Sequence, residues 1–151
     1  MNKSNKSEIK QQYQRIIVPV DGSDLSKKAA KIGSFFAKKT NTELILIHVK
    51  EIPATAMPPG EVTYAPNLSE TLQEKGKSIL NEIKELYEDE DLEIQTELVE
   101  GVPHNEIINF ATSNDLIIMG SKGHSAIERI LIGSTSENVL HHSDSSVMIV
   151  R

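Results

Sequence analysis

The sequence predicts an α/β fold: one domain on a doubly wound, five-stranded parallel sheet with helices on both faces. Three observations carry this. Short apolar runs rich in β-branched residues alternate with longer stretches that repeat apolar residues at helical spacing. Two of the runs, Leu44-Ile45-Leu46-Ile47-His48-Val49 and Leu116-Ile117-Ile118-Met119, are apolar almost throughout, which suits strands covered on both faces. The order β-α-β-α-β-α-β-α-β shows no repeat and no break in composition, which implies parallel neighbours joined by right-handed crossovers.

Residues 1–12 are polar and predict a frayed tail ahead of a domain covering residues 13–151. Arg15-Ile16-Ile17-Val18-Pro19-Val20 reads as the first strand, and Pro19, lacking a ladder donor, should end its pairing. Asp21-Gly22-Ser23-Asp24 is a tight turn in which Ser23 or Asp24 caps the next helix. Leu25, Ala29, Ile32 and Phe36 mark that helix's apolar face, and Lys38 and Lys39 complement its C-terminus. After the second strand, the stretch from Pro53 to Asn67 holds four prolines and a glycine and reads as a long irregular loop of the lid type. Leu72, Ile79, Ile83 and Leu86 restore a helical period from Leu68 to about Glu88, with Asn67 or Ser69 as cap.

The acidic cluster from Glu88 to Glu93 reads as a solvated turn, since it lacks the spaced ligands and central glycine of a calcium loop. Leu92, Ile94, Thr96 and Leu98 alternate, which puts the third strand near a sheet edge. Gly101-Val102-Pro103-His104 leads into a helix carrying Ile107, Ile108 and Ala111. The fourth strand follows, then a helix from Ser134 to His141, and Ser146-Val147-Met148-Ile149-Val150 closes the chain as the last strand.

Composition narrows the function classes. The formal net charge of −6 argues against nucleic acid or an anionic membrane as partner. Without cysteine there is neither a disulfide framework nor a thiolate metal site. No apolar run reaches the roughly 18 residues of a membrane span, and the N-terminus has no secretory h-region, so a soluble cytoplasmic protein is expected. Walker A, the dinucleotide G-x-G-x-x-G, the G-x-S-x-G elbow and H-E-x-x-H are all missing. No side chain is marked as a base for an attacking water, so no catalytic residue is assigned. His141-His142 is a poor metal pair, and His48, His104 and His124 are scattered, with His124 beside Gly123.

The stretch from Gly120 to Thr135 holds the chemistry. An apolar strand runs into Gly120-Ser121-Lys122-Gly123, and nine residues later Gly133-Ser134-Thr135 opens a helix. Strand, glycine loop and helix N-terminus together gather backbone N–H groups and the positive end of a helix dipole, a cradle for phosphate. Ser134 and Glu137 are spaced as a capping box. Lys122 is either a phosphate contact or a solvated loop lysine. Ser134 and Thr135 either donate to phosphate or, for Ser134, only cap the helix. Asp21, at the end of the first strand, is either a turn residue or the partner of a ribose hydroxyl or of magnesium. If the strand order is 3-2-1-4-5, its turn and the Gly120 to Gly123 loop face one crevice where the order reverses.

From Arg15 to Arg151 the chain resembles the universal stress protein family. The matching pieces are Ile17-Val18-Pro19-Val20-Asp21-Gly22-Ser23, Ile47-His48-Val49, Ile117-Ile118-Met119-Gly120-Ser121-Lys122-Gly123-His124-Ser125 and Ile132-Gly133-Ser134-Thr135-Ser136-Glu137-Asn138-Val139-Leu140. The resemblance implies strand order 3-2-1-4-5 and, through the G-x2-G-x9-G-S pattern, the ATP-binding branch. It implies that Asp21 contacts ribose or a Mg or Mn ion, and that Pro19 and the Val49 backbone frame adenine. Met119 and Gly120 would lie against the nucleotide, and Lys122, Gly123, Gly133, Ser134 and Thr135 would hold the phosphates. Lys122 stands where arginine is common, a point charge in place of a two-pronged fork, and Ser146 stands where proline is common. The resemblance further implies a homodimer through the strand from Val147 to Val150, an apolar edge that invites pairing. The function implied is a nucleotide-dependent stress-response switch with at most weak ATPase activity. The alternative is an interaction protein whose site is vestigial or takes AMP or another adenine nucleotide.

Overall fold

A computed structural model describes residues 12–51, 66–123 and 132–151. The elements are β1 (Arg15–Pro19), α1 (Asp24–Thr40), β2 (Glu43–Lys50), α2 (Pro66–Tyr87), β3 (Ile94–Glu100), α3 (Pro103–Phe110), β4 (Asp115–Gly120), α4 (Ser134–His142) and β5 (Ser146–Val150). The sheet order is β3-β2-β1-β4-β5, and every neighbouring pair is parallel. The tail and most of the stretch from Pro53 to Asn67 lie outside the described residues. Helix α2 begins at Pro66, two residues before the sequence reading starts it, because proline at a first turn loses no intrahelical bond.

The strand pleat divides the core into two layers. Ile16, Val18, Leu44, Leu46 and Ile118 face Ala29 and Ala30 of α1 and Leu80 and Ile83 of α2. Ile17, Ile47, Ile117 and Met119 face Ile107 of α3 and Val139 of α4. The buried stripe of α1 differs from the expected one. Ser26, Ala29, Ala30, Gly33, Ser34 and Ala37 are buried, whereas Leu25, Ile32 and Phe36 lie only partly covered. Small residues let the helix axis approach the sheet. A Cβ on Gly33 would stand 2.7 Å from Val18 Cγ2, closer than real packing allows.

At the start of the two central strands, Arg15 and Asp115 are register partners. Arg15 Nε donates to Asp115 Oδ1 at 3.0 Å and Nη2 to Oδ2 at 2.6 Å, and Nη2 also donates to Phe110 O at 3.2 Å. Thr112 donates its N–H (2.8 Å) and hydroxyl (3.1 Å) to Asp115 Oδ2. The guanidinium also lies over the Phe110 ring, 5.1 Å from its centroid. Asp115 is fully buried. Burial pushes its pKa up, but the bonds from Arg15 and Thr112 outweigh this and hold the carboxyl below its ordinary value.

The other end of the β1–β4 pair is open. Its ladder runs Arg15↔Asp115, Ile16↔Leu116, Ile17↔Ile117, although β1 continues to Pro19 and β4 to Gly120. The Val20 N–H bonds Ile47 O on the β2 side at 2.9 Å. Strand alternation therefore turns position 19 towards β4, where proline has no N–H to give. Pro19 ends this ladder and leaves the carboxyl ends of β1 and β4 unpaired with each other.

Asp115→Asn leaves Arg15 without its counter-ion. Urea unfolding at pH 7 should show a loss of about 2–3 kcal/mol, below the ~3–5 kcal/mol of a fully buried broken pair, because the Arg15 side chain keeps 25% of its surface exposed. The depressed carboxyl stabilises the fold above its unfolded pKa, and that contribution is lost as pH falls through the folded pKa. The wild type should therefore lose stability below about pH 4 more steeply than Asp115→Asn.

Candidate functional site

The residues at the carboxyl end of the sheet are set by three local structures. The first is the turn after β1. Gly22 has φ +84°, a conformation that glycine adopts without strain. Asp21 Oδ1 accepts the Ser23 N–H at 2.9 Å, and the Asp21 N–H donates to Ser26 Oγ at 3.4 Å. Ser23 caps α1, as the sequence predicts, its hydroxyl accepting the Ser26 N–H at 3.2 Å. The Asp21 carboxylate is thus oriented by the backbone that begins α1.

The second is the end of β4. The Ser121 N–H donates to Val150 O at 2.8 Å, which ties the loop to the end of β5. Gly120 lies under the first turn of α1, where a Cβ would stand 2.9 Å from Leu25 Cβ and 3.2 Å from its carbonyl carbon. At Gly123 a Cβ would run into Asp21 Oδ2. The turn after β1 and the loop after β4, about a hundred residues apart in the chain, therefore touch across the reversal of strand order.

The third is the start of α4. The cap is Gly133, with φ −80° and ψ 163°, and it carries no side-chain cap bond. The capping box expected between Ser134 and Glu137 does not form, because Ser134 already sits in the first helical position. A Cβ at Gly133 would lie 3.3 Å from Lys122 Cα and 3.4 Å from Ser121 O, a tight fit against the loop after β4. The Gly133 N–H donates to Ser121 O at 2.5 Å. The Ser136 hydroxyl, 2% exposed, lies 2.6 Å from the same carbonyl oxygen and 3.1 Å from Gly133 O. This latch fixes Gly133 beside Ser121 and Lys122 whatever the chain does between them. Sequence reasoning gave Ser136 no role. The available signal was a small hydroxyl on the inward face of a short helix that follows a glycine.

The structure joins Asp21 to Gly123 and Gly133 to Lys122. Ser134 is exposed and Thr135 half-buried, both in the opening turn of α4. The N–H groups of that turn precede the first intrahelical donor, Glu137, which bonds Gly133 O at 2.9 Å. Pro19 and Val49 stand on adjacent strands, with Pro19 opposite Ile47 two residues before Val49. Met119 and Val49 pack into one apolar cluster beneath α3 and α4. His124 lies outside the described residues. Among those residues no group of three His, Cys, Asp or Glu side chains could hold a metal by itself. A separate cleft of about 260 Å³ between Asn41, Glu43, Asp91 and Gln95 lies at the opposite, amino end of the strands.

Residues 12–151 match the profile of the Universal stress protein family. The universal stress protein MJ0531 of Methanocaldococcus jannaschii is 38% identical over 141 residues, spanning 92% of this chain and 82% of its own length. Among solved structures, the universal stress protein UspA from Lactobacillus plantarum superposes with a TM-score of 0.79 at 25% identity, over 93% of this chain and 99% of that one. A universal stress protein solved in complex with cAMP gives a TM-score of 0.66 at 26% identity, over 93% and 98% of the two chains.

Ser136→Ala removes one of the two donors on Ser121 O. It should lower the free energy of unfolding by about 1 kcal/mol and speed hydrogen exchange of the Gly133 amide more than that of amides in β1.

Proposed function

The chain belongs to the universal stress protein family, and on that premise we propose that it binds ATP between β1 and β4 as a nucleotide-dependent switch in a stress response. The observation that carries the reading is the approach of Gly123 to the Asp21 carboxylate across the reversal of strand order, the position where open α/β sheets bind ligands. Asp21 binds a ribose hydroxyl or a metal, and Pro19 and the Val49 backbone frame the adenine. Met119 and Gly120 lie against the nucleotide. Lys122, Gly123, Gly133, Ser134 and Thr135 hold the phosphates through backbone N–H groups, hydroxyls and one cation. Gly120, Gly123, Gly133 and Ser134 supply the G-x2-G-x9-G-S pattern, which supports placing the chain in the ATP-binding branch.

Magnesium or manganese fits this site only as a companion of the nucleotide. Among the described residues the site offers one carboxylate, and one of its oxygens already accepts the Ser23 N–H; the remaining ligands would be phosphate oxygens and water. The bound ion would neutralise phosphate charge. No residue of the crevice is assigned as a base, so hydrolysis is slow at most. The protein acts in the cytoplasm as a homodimer paired through β5. Among the described residues no helix is long and apolar enough to cross a membrane. The cAMP complex of a 26% identical relative supports a second reading, in which the ligand is AMP or another adenine nucleotide and the protein is chiefly an interaction partner.

Mass spectrometry of the denatured purified protein should release ATP, whereas AMP or cAMP in its place would favour the second reading. Mg-ATP at a hundredfold excess over its Kd adds about 2.7 kcal/mol, which for a domain of this size raises Tm by roughly 5–10 °C. Gly123→Val should abolish that shift, and because its Cβ would displace the Asp21 carboxylate the unliganded Tm should fall slightly as well. A wild-type protein without released nucleotide and without a shift at millimolar ATP would overturn the proposal.

A further inference from the structure

We propose that His48 is a positioning residue for the nucleotide turn: its imidazole, seated in a gap that Gly76 leaves in α2, holds the Val20 carbonyl and thereby the orientation of Asp21. The proposal rests on the adenine-nucleotide reading above and adds to it the means by which the carboxylate is aimed.

His48 lies on the same face of β2 as Leu44 and Leu46, the face covered by α1 and α2. Its Nδ1 is 2.7 Å from Val20 O. A carbonyl oxygen only accepts, so Nδ1 carries the proton and donates. The β1–β2 ladder ends at Pro19↔Ile47, and a continuing parallel ladder would give the next carbonyl, that of Val20, to a backbone N–H of β2. The His48 side chain takes that acceptor instead. The Val20–Asp21 peptide is therefore held at both edges, its carbonyl by His48 and its N–H by Ser26 Oγ. The histidine bond is the tighter of the two, 2.7 Å against 3.4 Å. Rotation of this peptide would swing the Asp21 side chain away from Gly123, so the bond that stops the rotation sets where the carboxylate points.

Gly76 supplies the second observation. It sits inside a helix of 22 residues, where glycine costs about 1 kcal/mol relative to alanine. Space explains its presence. A Cβ there would stand 2.8 Å from His48 Cδ2 and 2.7 Å from Leu98 Cδ1. Helix α2 is thereby in contact with the group that fixes the nucleotide turn.

Three variants test this: His48→Leu, which has no donor; His48→Asn, whose amide N–H occupies the place of Nδ1–H; and Gly76→Ala, which crowds the ring while raising helix propensity. Two readouts apply to each, exchange of the Ser23 amide in ¹⁵N-labelled protein and calorimetric titration with Mg-ATP. His48→Leu and Gly76→Ala should speed Ser23 exchange and weaken Mg-ATP binding by about tenfold, equivalent to one lost bond of about 1.4 kcal/mol. His48→Asn should restore both. Unchanged Ser23 exchange in His48→Leu, or a folded His48→Asn that behaves like His48→Leu, overturns the proposal. If His48→Leu does not fold, the Ser23 exchange of Gly76→Ala against His48→Asn decides it in the same way. A wild type that binds no Mg-ATP sinks the nucleotide reading alone, because the exchange readout still decides whether His48 holds the turn.

Discussion

The site depends on a missing hydrogen-bond donor. β1 and β4 are clamped at one end by the Arg15–Asp115 pair and released at the other by Pro19, whose position turns towards β4 without an N–H. With a full ladder the two strands would run closed to their last residues and the sheet would offer a seam. The ladder closes for three residue pairs and then stops. The buried, multiply bonded Asp115 thus holds the two strands together at the end where their ladder is complete.

The polar residues around this opening act mainly on backbone. Asp21 takes the Ser23 N–H, Ser26 takes the Asp21 N–H, and Ser136 takes the Ser121 and Gly133 carbonyls. Each such bond fixes a peptide plane, and the fixed planes aim N–H groups and one carboxylate into a common space. Close approach is the other requirement. Gly120 beneath Leu25, Gly123 against Asp21 and Gly133 against Lys122 all stand where a Cβ would meet a neighbour. At Gly120 the neighbours are the Leu25 Cβ and backbone, so packing requires glycine there before any ligand is considered, whereas at Gly123 the neighbour is the movable end of the Asp21 side chain.

Much of this was legible in the sequence. The succession of apolar runs and helical periods gives the parallel sheet, and the clearer apolar–polar alternation at Leu92 to Leu98 gives an edge strand, as β3 is. Ser23 was readable as a cap because it directly precedes a helical period. Three features were hidden, each for a physical reason. The fully buried stripe of α1 consists of Ala, Gly and Ser, which carry little hydrophobic signal; of the expected face, Ala29 belongs to it, and Ile32 and Phe36 pack against the core while only partly covered. The capping box does not form because the helix starts one residue early, with Gly133 as cap, its amide tied to Ser121 O by a contact 12 residues back in the chain. The link from His48 to Val20 spans 28 residues and has no local spacing to betray it. Local chemistry reads well from sequence; contacts made by one side chain to a distant carbonyl do not.

The interior glycines of α1 and α2 bear on how the molecule comes apart. Gly33 and Gly76 each weaken their own helix as a free segment, and short isolated helices are marginal in water even without such residues. Peptides cut from these two segments would be largely coil. Their helical form is borrowed from the surface against which the glycines pack, Val18 and Leu44 for one and His48 and Leu98 for the other. Sheet and helices should then melt together in a single transition, with no helical remnant once the strands separate.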